Sequence, residues 1–245
     1  MIGMVLAAGA GRRLGEDTAD LPKTLLPVDG DRTILDVALG NLKSVGMDTV
    51  AIVTGFAHGR VAERVDQLEQ RHGVKLELVF NPKAEEWNNA YSMWCARELF
   101  PEGVLMCNGD TVHPASVEQR LLDRSGPDDD LVIAIDDEKA LGEEEMKVHL
   151  TPEGYLDRIN KSLDPATSAG EYIGVTLIEP RAADALAEAL EATWRRDPQL
   201  YYEDGFEELA RRGGRVATAP IGVVEWVEVD DHADLARARE VACRC

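Results

Sequence analysis

The sequence predicts an α/β fold: a three-layer sandwich around a mainly parallel, mixed sheet, with a small β-hairpin or lid region. Three observations carry this expectation. Strand-like and helix-like patterns alternate along the chain, as a parallel sheet with crossover helices requires. The first apolar segment runs straight into small residues, Ala7-Ala8-Gly9-Ala10-Gly11, where a sheet of this kind places a ligand loop. With 245 residues and 44% hydrophobic content, the chain can bury one full core.

The elements follow in order. Ile2 to Leu6 reads as the first strand, and Ile34 to Val45, with Leu35, Ala38, Leu39 and Leu42 on one face, as a helix closed by Gly46. Thr49 to Thr54 is the second strand, Gly59 to His72 a helix ended by Gly73, and Lys75 to Phe80 the third strand. A helix from Ala90 to Leu99 precedes the buried strand Gly103 to Cys107; the helix Ala115 to Leu122 and the strand Leu131 to Ile135 come next. From Lys147 to Ile159 the pattern becomes a hairpin turning at Pro152-Glu153-Gly154. Strand Tyr172 to Ile178, helices Pro180 to Trp194 and Gly205 to Arg212, strands near Val216 and Val227, and a helix from Asp234 complete the chain. Neither internal repeats nor a low-complexity linker interrupts it, so one domain over 1–245 is expected, with a lid or acceptor-binding insertion over roughly 137–170.

Composition narrows the partners. A formal charge of −20 argues against nucleic acid and anionic membranes, both of which need clustered Lys and Arg. No apolar run approaches the ~20 residues that span a bilayer, and Met4-Val5-Leu6 follows no basic segment, so it reads as a strand and the location as cytoplasmic. The runs Asp128-Asp129-Asp130 and Glu143-Glu144-Glu145 read as turns and solvated faces. Cys95 and Cys107 read as small hydrophobes and Cys243 and Cys245 as a frayed tail, all reduced thiols without zinc spacing. An anion approaching so acidic a protein must meet concentrated positive charge or metal, which gives weight to Arg12, Arg13, Lys23 and Lys161.

The chemistry starts at the first loop. Small residues after an apolar strand let backbone N–H groups approach phosphate oxygens, and Arg13 and Lys23 add fixed positive charge, which makes a grip for a triphosphate. It is not the dinucleotide turn. Gly15 comes one residue late, and the chain continues through Glu16, Asp17, Asp20 and Pro22, which is loop chemistry.

Leu6-Ala7-Ala8-Gly9-x-Gly11-x-Arg13-Leu14 with Pro22-Lys23-x-Leu25-x-Pro27-Val28 resembles the signature of Rossmann-like nucleotidyltransferases that join a nucleoside monophosphate to a phosphorylated sugar, alcohol or phosphonate. Phe80-Asn81-Pro82 and Trp87-Asn88-Asn89-Ala90-Tyr91-Ser92 resemble the choline-phosphate and phosphonate cytidylyltransferase branch, where sugar-phosphate enzymes carry Gly-Thr-Ala. Glu171-Tyr172-Ile173-Gly174 and Tyr201-Tyr202-Glu203-Asp204 resemble the same branch, which includes inositol-phosphate cytidylyltransferases; the similarity runs from Met1 to about Val241.

The resemblance implies a Mg²⁺-dependent reaction of CTP with a small phosphorylated alcohol or phosphonate, of the phosphocholine or 2-aminoethylphosphonate kind. UTP, dTTP or GTP with a sugar-1-phosphate is the alternative. A GT-A-type glycosyltransferase would carry a DxD element where this chain has Asn108-Gly109-Asp110, and a non-catalytic nucleotide-binding domain would lose the metal pair. A homodimer stays open.

By resemblance Arg13, Lys23, Asp110 and Lys161 are catalytic, with Lys161 on the acceptor phosphate and Asp110 with Asp230 on the metal. Carboxylates at two strand ends suit an ion that keeps several waters. Asp110 could equally be a turn residue; Asp231 is the better helix cap, which leaves Asp230 free. The expected nucleotide contacts are Leu6, Ala7, Ala8, Gly9, Gly11, Arg13, Lys23, Asn81, Asn88, Asn89, Ser92, Asn108 and Gly109, although Asn88-Asn89 could instead cap a helix. The acceptor would meet Lys161, Glu171, Tyr172, Tyr201, Tyr202, Glu203 and Asp204, with Trp87 and Tyr91 adding aromatic faces for an ammonium group.

Overall fold

The computed structural model describes residues 1–243. Strand β1 (Ile2–Ala7), apolar throughout as burial on two faces requires, lies between β4 (Thr49–Thr54) and β6 (Val104–Asn108), parallel to both. β5 (Lys75–Phe80) extends the parallel set beyond β4. On the other side β11 (Gly170–Ile178) runs antiparallel to β6, β8 (Leu131–Asp136) pairs antiparallel with β11, and β12 (Val216–Pro220) lies parallel to β8. The hairpin of β9 (Lys147–Leu150) and β10 (Leu156–Asn160) pairs with the beginning of β11.

The branch point is Gly174. Its φ of 82° bends β11 between its two pairings, and a Cβ there would lie 2.5 Å from the Asn108 side-chain amide, so only glycine fits. The sheet is thus mixed and mainly parallel, with the hairpin beside the carboxyl end of β6.

Helices cover both faces. Helices α1 (Ile34–Ser44), α3 (Val65–His72) and α5 (Ser116–Arg124) bury Leu35, Leu39, Leu68, Val117 and Leu121 against one side. Helices α4 (Asn89–Cys95), α6 (Ala183–Arg196) and α7 (Tyr202–Arg211) bury Met93, Leu186, Leu190, Tyr202 and Phe206 against the other. A smaller cluster joins α8 (His232–Ala242) to Leu14 and to Val28 of a hairpin formed by β2 (Pro27–Asp29) and β3 (Arg32–Thr33).

Several boundaries differ from the sequence reading. The helix expected from Gly59 to His72 is two: α2 (His58–Ala62) ends as Arg64 N bonds Val61 O, a three-residue step, and α3 restarts behind it. The helix from Ala90 stops at Cys95 and continues as a 3-10 stretch over Arg97–Glu102 containing Pro101, which supplies no N–H. Helix α6 is preceded by a 3-10 turn at Pro180–Ala182, while α7 and α8 begin earlier than expected because their cap residues lie upstream. The segment expected as plain loop after Gly11 holds 3-10 turns at Arg12–Thr18 and Lys23–Leu25. Asp129 is buried, accepting from Gly126 N at 2.7 Å, so that acidic run is not wholly solvated. Cys95, Cys107 and Cys243 are free thiols; Cys245 lies outside the described residues.

Candidate active site

The carboxyl ends of β1 and β6 carry the polar loops. Gly109 N donates to Leu6 O at 2.8 Å, and a Cβ at Gly109 would sit 2.7 Å from that oxygen, so glycine lets the two strand ends close together. Asp110 follows at once. Beyond it, β7 (Thr111–Val112) pairs antiparallel with β13 (Val227–Glu228) in the register Thr111 opposite Glu228, and Val229 N donates to Asp110 O at 2.8 Å. This pairing brings Asp230 and Glu228 beside Asp110 from more than a hundred residues away.

Lys23 completes the cluster. The first loop is closed by Thr18 Oγ1 donating to Gly11 O at 2.9 Å, and Pro22 then sets Lys23 at the start of a 3-10 turn. Its Nζ lies 2.8 Å from Asp110 Oδ2 and 3.1 Å from Asp230 Oδ1; Arg13 Nη2 reaches Asp230 Oδ2 at 2.8 Å. Burial alone would lower the Lys23 ammonium, but Asp110 and Asp230 hold it above the ordinary lysine value. Burial would likewise raise Asp230, and Lys23 and Arg13 overcome it, leaving that carboxyl below its usual range. Glu228 is pushed the other way: desolvation, then the charges of Asp110 and Asp230, raise it against the pull of Lys23 and Lys161.

Ligand oxygens of Asp110, Glu228 and Asp230 lie within 4.8 Å of one another. Hard carboxylate oxygens at this spacing suit Mg²⁺, and the ammonium already held between two of them shows that the pair can clamp a single cation. The donor set therefore fits the expected ion. Asp231 caps α8, accepting from Ala233 N at 2.7 Å and Asp234 N at 3.0 Å, which leaves Asp230 to the cluster.

Two adjoining cavities open at this edge, of about 640 Å³ and about 230 Å³. They share Glu144, Lys161, Glu171 and Glu228. The larger adds Arg13 and Asp230; the smaller adds Leu6, Ala8, Gly9, Asn88, Asn89, Ser92, Asn108, Asp110, Tyr172, Tyr201 and Glu203. Lys161 stands exposed just after β10, where both cavities meet it.

Other expected residues lie behind the walls. Asn81 is buried and donates to Ser92 Oγ at 2.8 Å. Asn88 caps α4, accepting from Asn89 N at 2.8 Å, and Asn89 Oδ1 accepts from Tyr202 N at 2.9 Å, so both asparagines fix helix ends while bordering the smaller cavity. Ala7, Gly11 and Gly109 shape the loops without lining either space, Lys23 is turned to Asp110 and Asp230 and lines neither, and Arg12 is exposed.

Tyr202 and Asp204, expected at the acceptor, do not line these cavities. Tyr202 is fully buried, its hydroxyl donating to Asn108 Oδ1 at 2.9 Å and lying 3.2 Å from the Tyr172 hydroxyl; Asp204 turns back to accept from Tyr201 N at 2.8 Å as a helix cap. Trp87 and Tyr91 are also elsewhere, packed on each other at 4.8 Å and against Trp194 at 5.6 and 5.3 Å. These rings pack together between the start of α4 and α6.

Glu228, Lys139 and Lys147 were missed by the sequence reading. Lys139 Nζ lies 2.6 Å from Glu171 Oε2. Lys147, fully buried, donates to Gly142 O at 3.0 Å, Glu143 O at 2.8 Å and Glu145 O at 3.1 Å, folding the acidic loop over the cavities. A buried lysine at the start of an amphipathic strand carries no signal in sequence, while Glu228 could have been sought beside Asp230.

The family model described as "MobA-like NTP transferase domain" matches residues 3–203. A CMP-5'-(3-aminopropyl)phosphonate synthase of Streptomyces rubellomurinus is 33% identical over 243 residues, covering 96% of this chain and 38% of that protein. A choline-phosphate cytidylyltransferase of Streptococcus pneumoniae is 34% identical over 98 residues, covering 40% of each chain. The chain thus spans about 40% of the length of these curated relatives. In fold it matches the inositol-1-phosphate CTP transferase of T. maritima, with a TM-score of 0.82 at 21% identity over 99% of this chain and 94% of that one.

Proposed function

Because the chain belongs to the MobA-like NTP transferase family, we propose that it transfers CMP from CTP to a small phosphorylated alcohol or phosphonate and releases pyrophosphate. The observation that carries the reading is the Lys23, Asp110 and Asp230 cluster with Arg13 beside it, of which Arg13 and Asp230 line the larger cavity and Asp110 the smaller. Two relatives that share about a third of their aligned residues with this chain are named for CMP transfer or cytidylyl transfer to a phosphonate or a phosphoalcohol, which supports CTP over other nucleotides.

An ionised oxygen of the acceptor attacks the α-phosphorus in line; that P–O bond forms as the bond from the α-phosphorus to the bridging oxygen of the β-phosphate breaks, and pyrophosphate leaves with the electron pair. No base is needed, since the attacking oxygen is already an anion at neutral pH. What the chain must do is hold two anions together and offset the charge between them. In this reading Lys23 turns from the carboxylates to the α-phosphate, Arg13 holds the outer phosphates, and Lys161 holds the acceptor's phosphate or phosphonate. The backbone of Ala8 and Gly9, with Asn89 and Ser92, meets the base. Asp110 and Asp230, with Glu228 beside them, would hold Mg²⁺, which when bound would supply positive charge to offset that of the phosphates. The hairpin of β9 and β10, with the loop before it, forms the lid that brings Lys161.

A pyrophosphate-release screen tests this. CTP with Mg²⁺ and a small phosphoalcohol or aminoalkylphosphonate should react, and EDTA should abolish the reaction. Turnover confined to a hexose-1-phosphate with UTP or dTTP would move the chain to another branch.

A further inference from the structure

Both carboxylate oxygens of Asp230 are already engaged. Oδ1 lies 3.1 Å from Lys23 Nζ and Oδ2 lies 2.8 Å from Arg13 Nη2, while the same Lys23 Nζ lies 2.8 Å from Asp110 Oδ2. Mg²⁺ takes its oxygen ligands at about 2.0–2.1 Å, and a second cation that close to it is strongly repelled. The ammonium and the ion therefore exclude one another from the Asp110 and Asp230 pair. Lys23 is the firmer of the two side chains: it is 13% exposed and bridges both carboxylates, whereas Arg13 is 70% exposed and touches one.

The four groups form a closed set, with the cations Lys23 and Arg13 against the anions Asp110 and Asp230. A divalent ion entering alone would take the carboxylates and leave two cations beside it. A triphosphate entering alone would draw off the cations and leave two carboxylates facing each other beside its own negative charge. When both enter, every charge keeps an opposite partner, the side-chain cations on the phosphates and the ion on the carboxylates.

Building on the metal and triphosphate assignments of the transfer reading above, we propose that Lys23, seconded by Arg13, is an internal competitor for the metal seat: it keeps a divalent ion off Asp110 and Asp230 until a nucleoside triphosphate draws the two side chains away. Metal and nucleotide then strengthen each other's binding by the same factor.

Mn²⁺, followed by the electron paramagnetic resonance of the free ion, probes the seat without catalysis. At neutral pH and without nucleotide, Lys23→Met should bind Mn²⁺ about tenfold or more tightly than the wild-type full chain, because the competing charge-assisted hydrogen bonds are gone. Arg13→Met, which releases one oxygen of Asp230, should tighten binding by a smaller factor. Asp110→Asn added to Lys23→Met should remove the gain, which ties the ion to this seat. Calorimetric titration of CTP with and without Mn²⁺ reads the exchange itself: the factor by which Mn²⁺ strengthens CTP binding should be about threefold or more larger in wild type than in Lys23→Met. Should Lys23→Met fail to fold, Lys23→Gln reads the same two quantities, with the same direction expected. An Mn²⁺ affinity in Lys23→Met no higher than in wild type, or a gain that survives Asp110→Asn, would overturn the proposal. Tighter Mn²⁺ binding in the variant with no cytidylyl transfer by wild type would sink the transfer reading alone, and transfer by wild type with an Mn²⁺ affinity indifferent to Lys23 would sink the competition alone.

Discussion

At the scale of single residues, one ammonium organises the site. Lys23 is only 13% exposed and bridges two carboxylates, so removing it leaves Asp110 and Asp230 facing each other, while removing either carboxylate leaves Lys23 with one partner. Lys23→Ala and Arg13→Ala should each lower kcat by about a hundredfold or more, the scale of losing one charge aimed at a transition state. Asp110→Asn and Asp230→Asn should do at least as much while leaving the circular dichroism spectrum unchanged; near-normal rates in both would remove the metal assignment. Lys161→Ala should instead raise KM for the acceptor, and a change confined to the KM for CTP would reverse that role. Arg13, Lys23 and Asp110 could be picked out in the sequence because each sits in a motif just past an apolar strand. Glu228 had only its place beside Asp230 to suggest it, since its nearness to Asp110 comes from the two-residue pairing of β7 with β13, which has no periodicity to detect. Tyr202 and Asp204 misled for a related reason: their polar atoms serve Asn108 and the start of α7, and the sequence does not say which way a helix faces.

At the scale of elements, local chemistry was legible at turn residues such as Gly46, Gly73 and the Pro152-Glu153-Gly154 hairpin, and less so at the capped starts of α7 and α8. The start of α1 shows how much such a cap can carry. Thr33 and Asp36 form a reciprocal box, Thr33 N donating to Asp36 Oδ2 at 2.9 Å and Asp36 N to Thr33 Oγ1 at 3.2 Å. Asp36 also ties α1 to α3 through His72 Nε2 at 2.8 Å and Arg71 Nη1 at 3.1 Å. Burial would raise this carboxyl, yet His72, Thr33 and Arg71 hold it well below the ordinary range. A lowered acid contributes stability in full above its unfolded value, near pH ~4, and loses it as pH falls toward the native value. Asp36→Asn should therefore be less stable than wild type at pH 7, by about 1–3 kcal/mol, with the gap closing below pH ~4. A pH-independent gap in urea melts would assign the loss to packing instead. The acidic loop before β9 depends on Lys147 in the same way. Lys147→Met leaves three carbonyls without their donor, so amide exchange over 142–146 should speed up while the central strands keep their protection; unchanged exchange there would mean the loop is held by other contacts.

Across the whole molecule, the acidic balance and the few cations of the site belong to one arrangement. A net charge of −20 repels anions, so a triphosphate depends on the few cations at the carboxyl edge of the sheet, Arg13, Lys23 and Lys161, which stand there among carboxylates. The fold was legible because alternation of strands and helices survives errors of several residues at each boundary. The shape of the acceptor pocket was not, because it is set by how α4, α6 and α7 pack and by the bend at Gly174, neither of which leaves a spacing in the chain. The family describes the scaffold; the chemistry is decided by what leaves and what joins. Phosphorus-31 NMR of the full chain with CTP, Mg²⁺ and 2-aminoethylphosphonate reads both at once. One equivalent of pyrophosphate should appear for each CTP consumed, together with a coupled pair of resonances from a new anhydride between CMP and the phosphonate. CTP left intact while UTP or dTTP reacts with glucose-1-phosphate, or CTP cleaved to CDP and inorganic phosphate, would contradict cytidylyl transfer to a small acceptor.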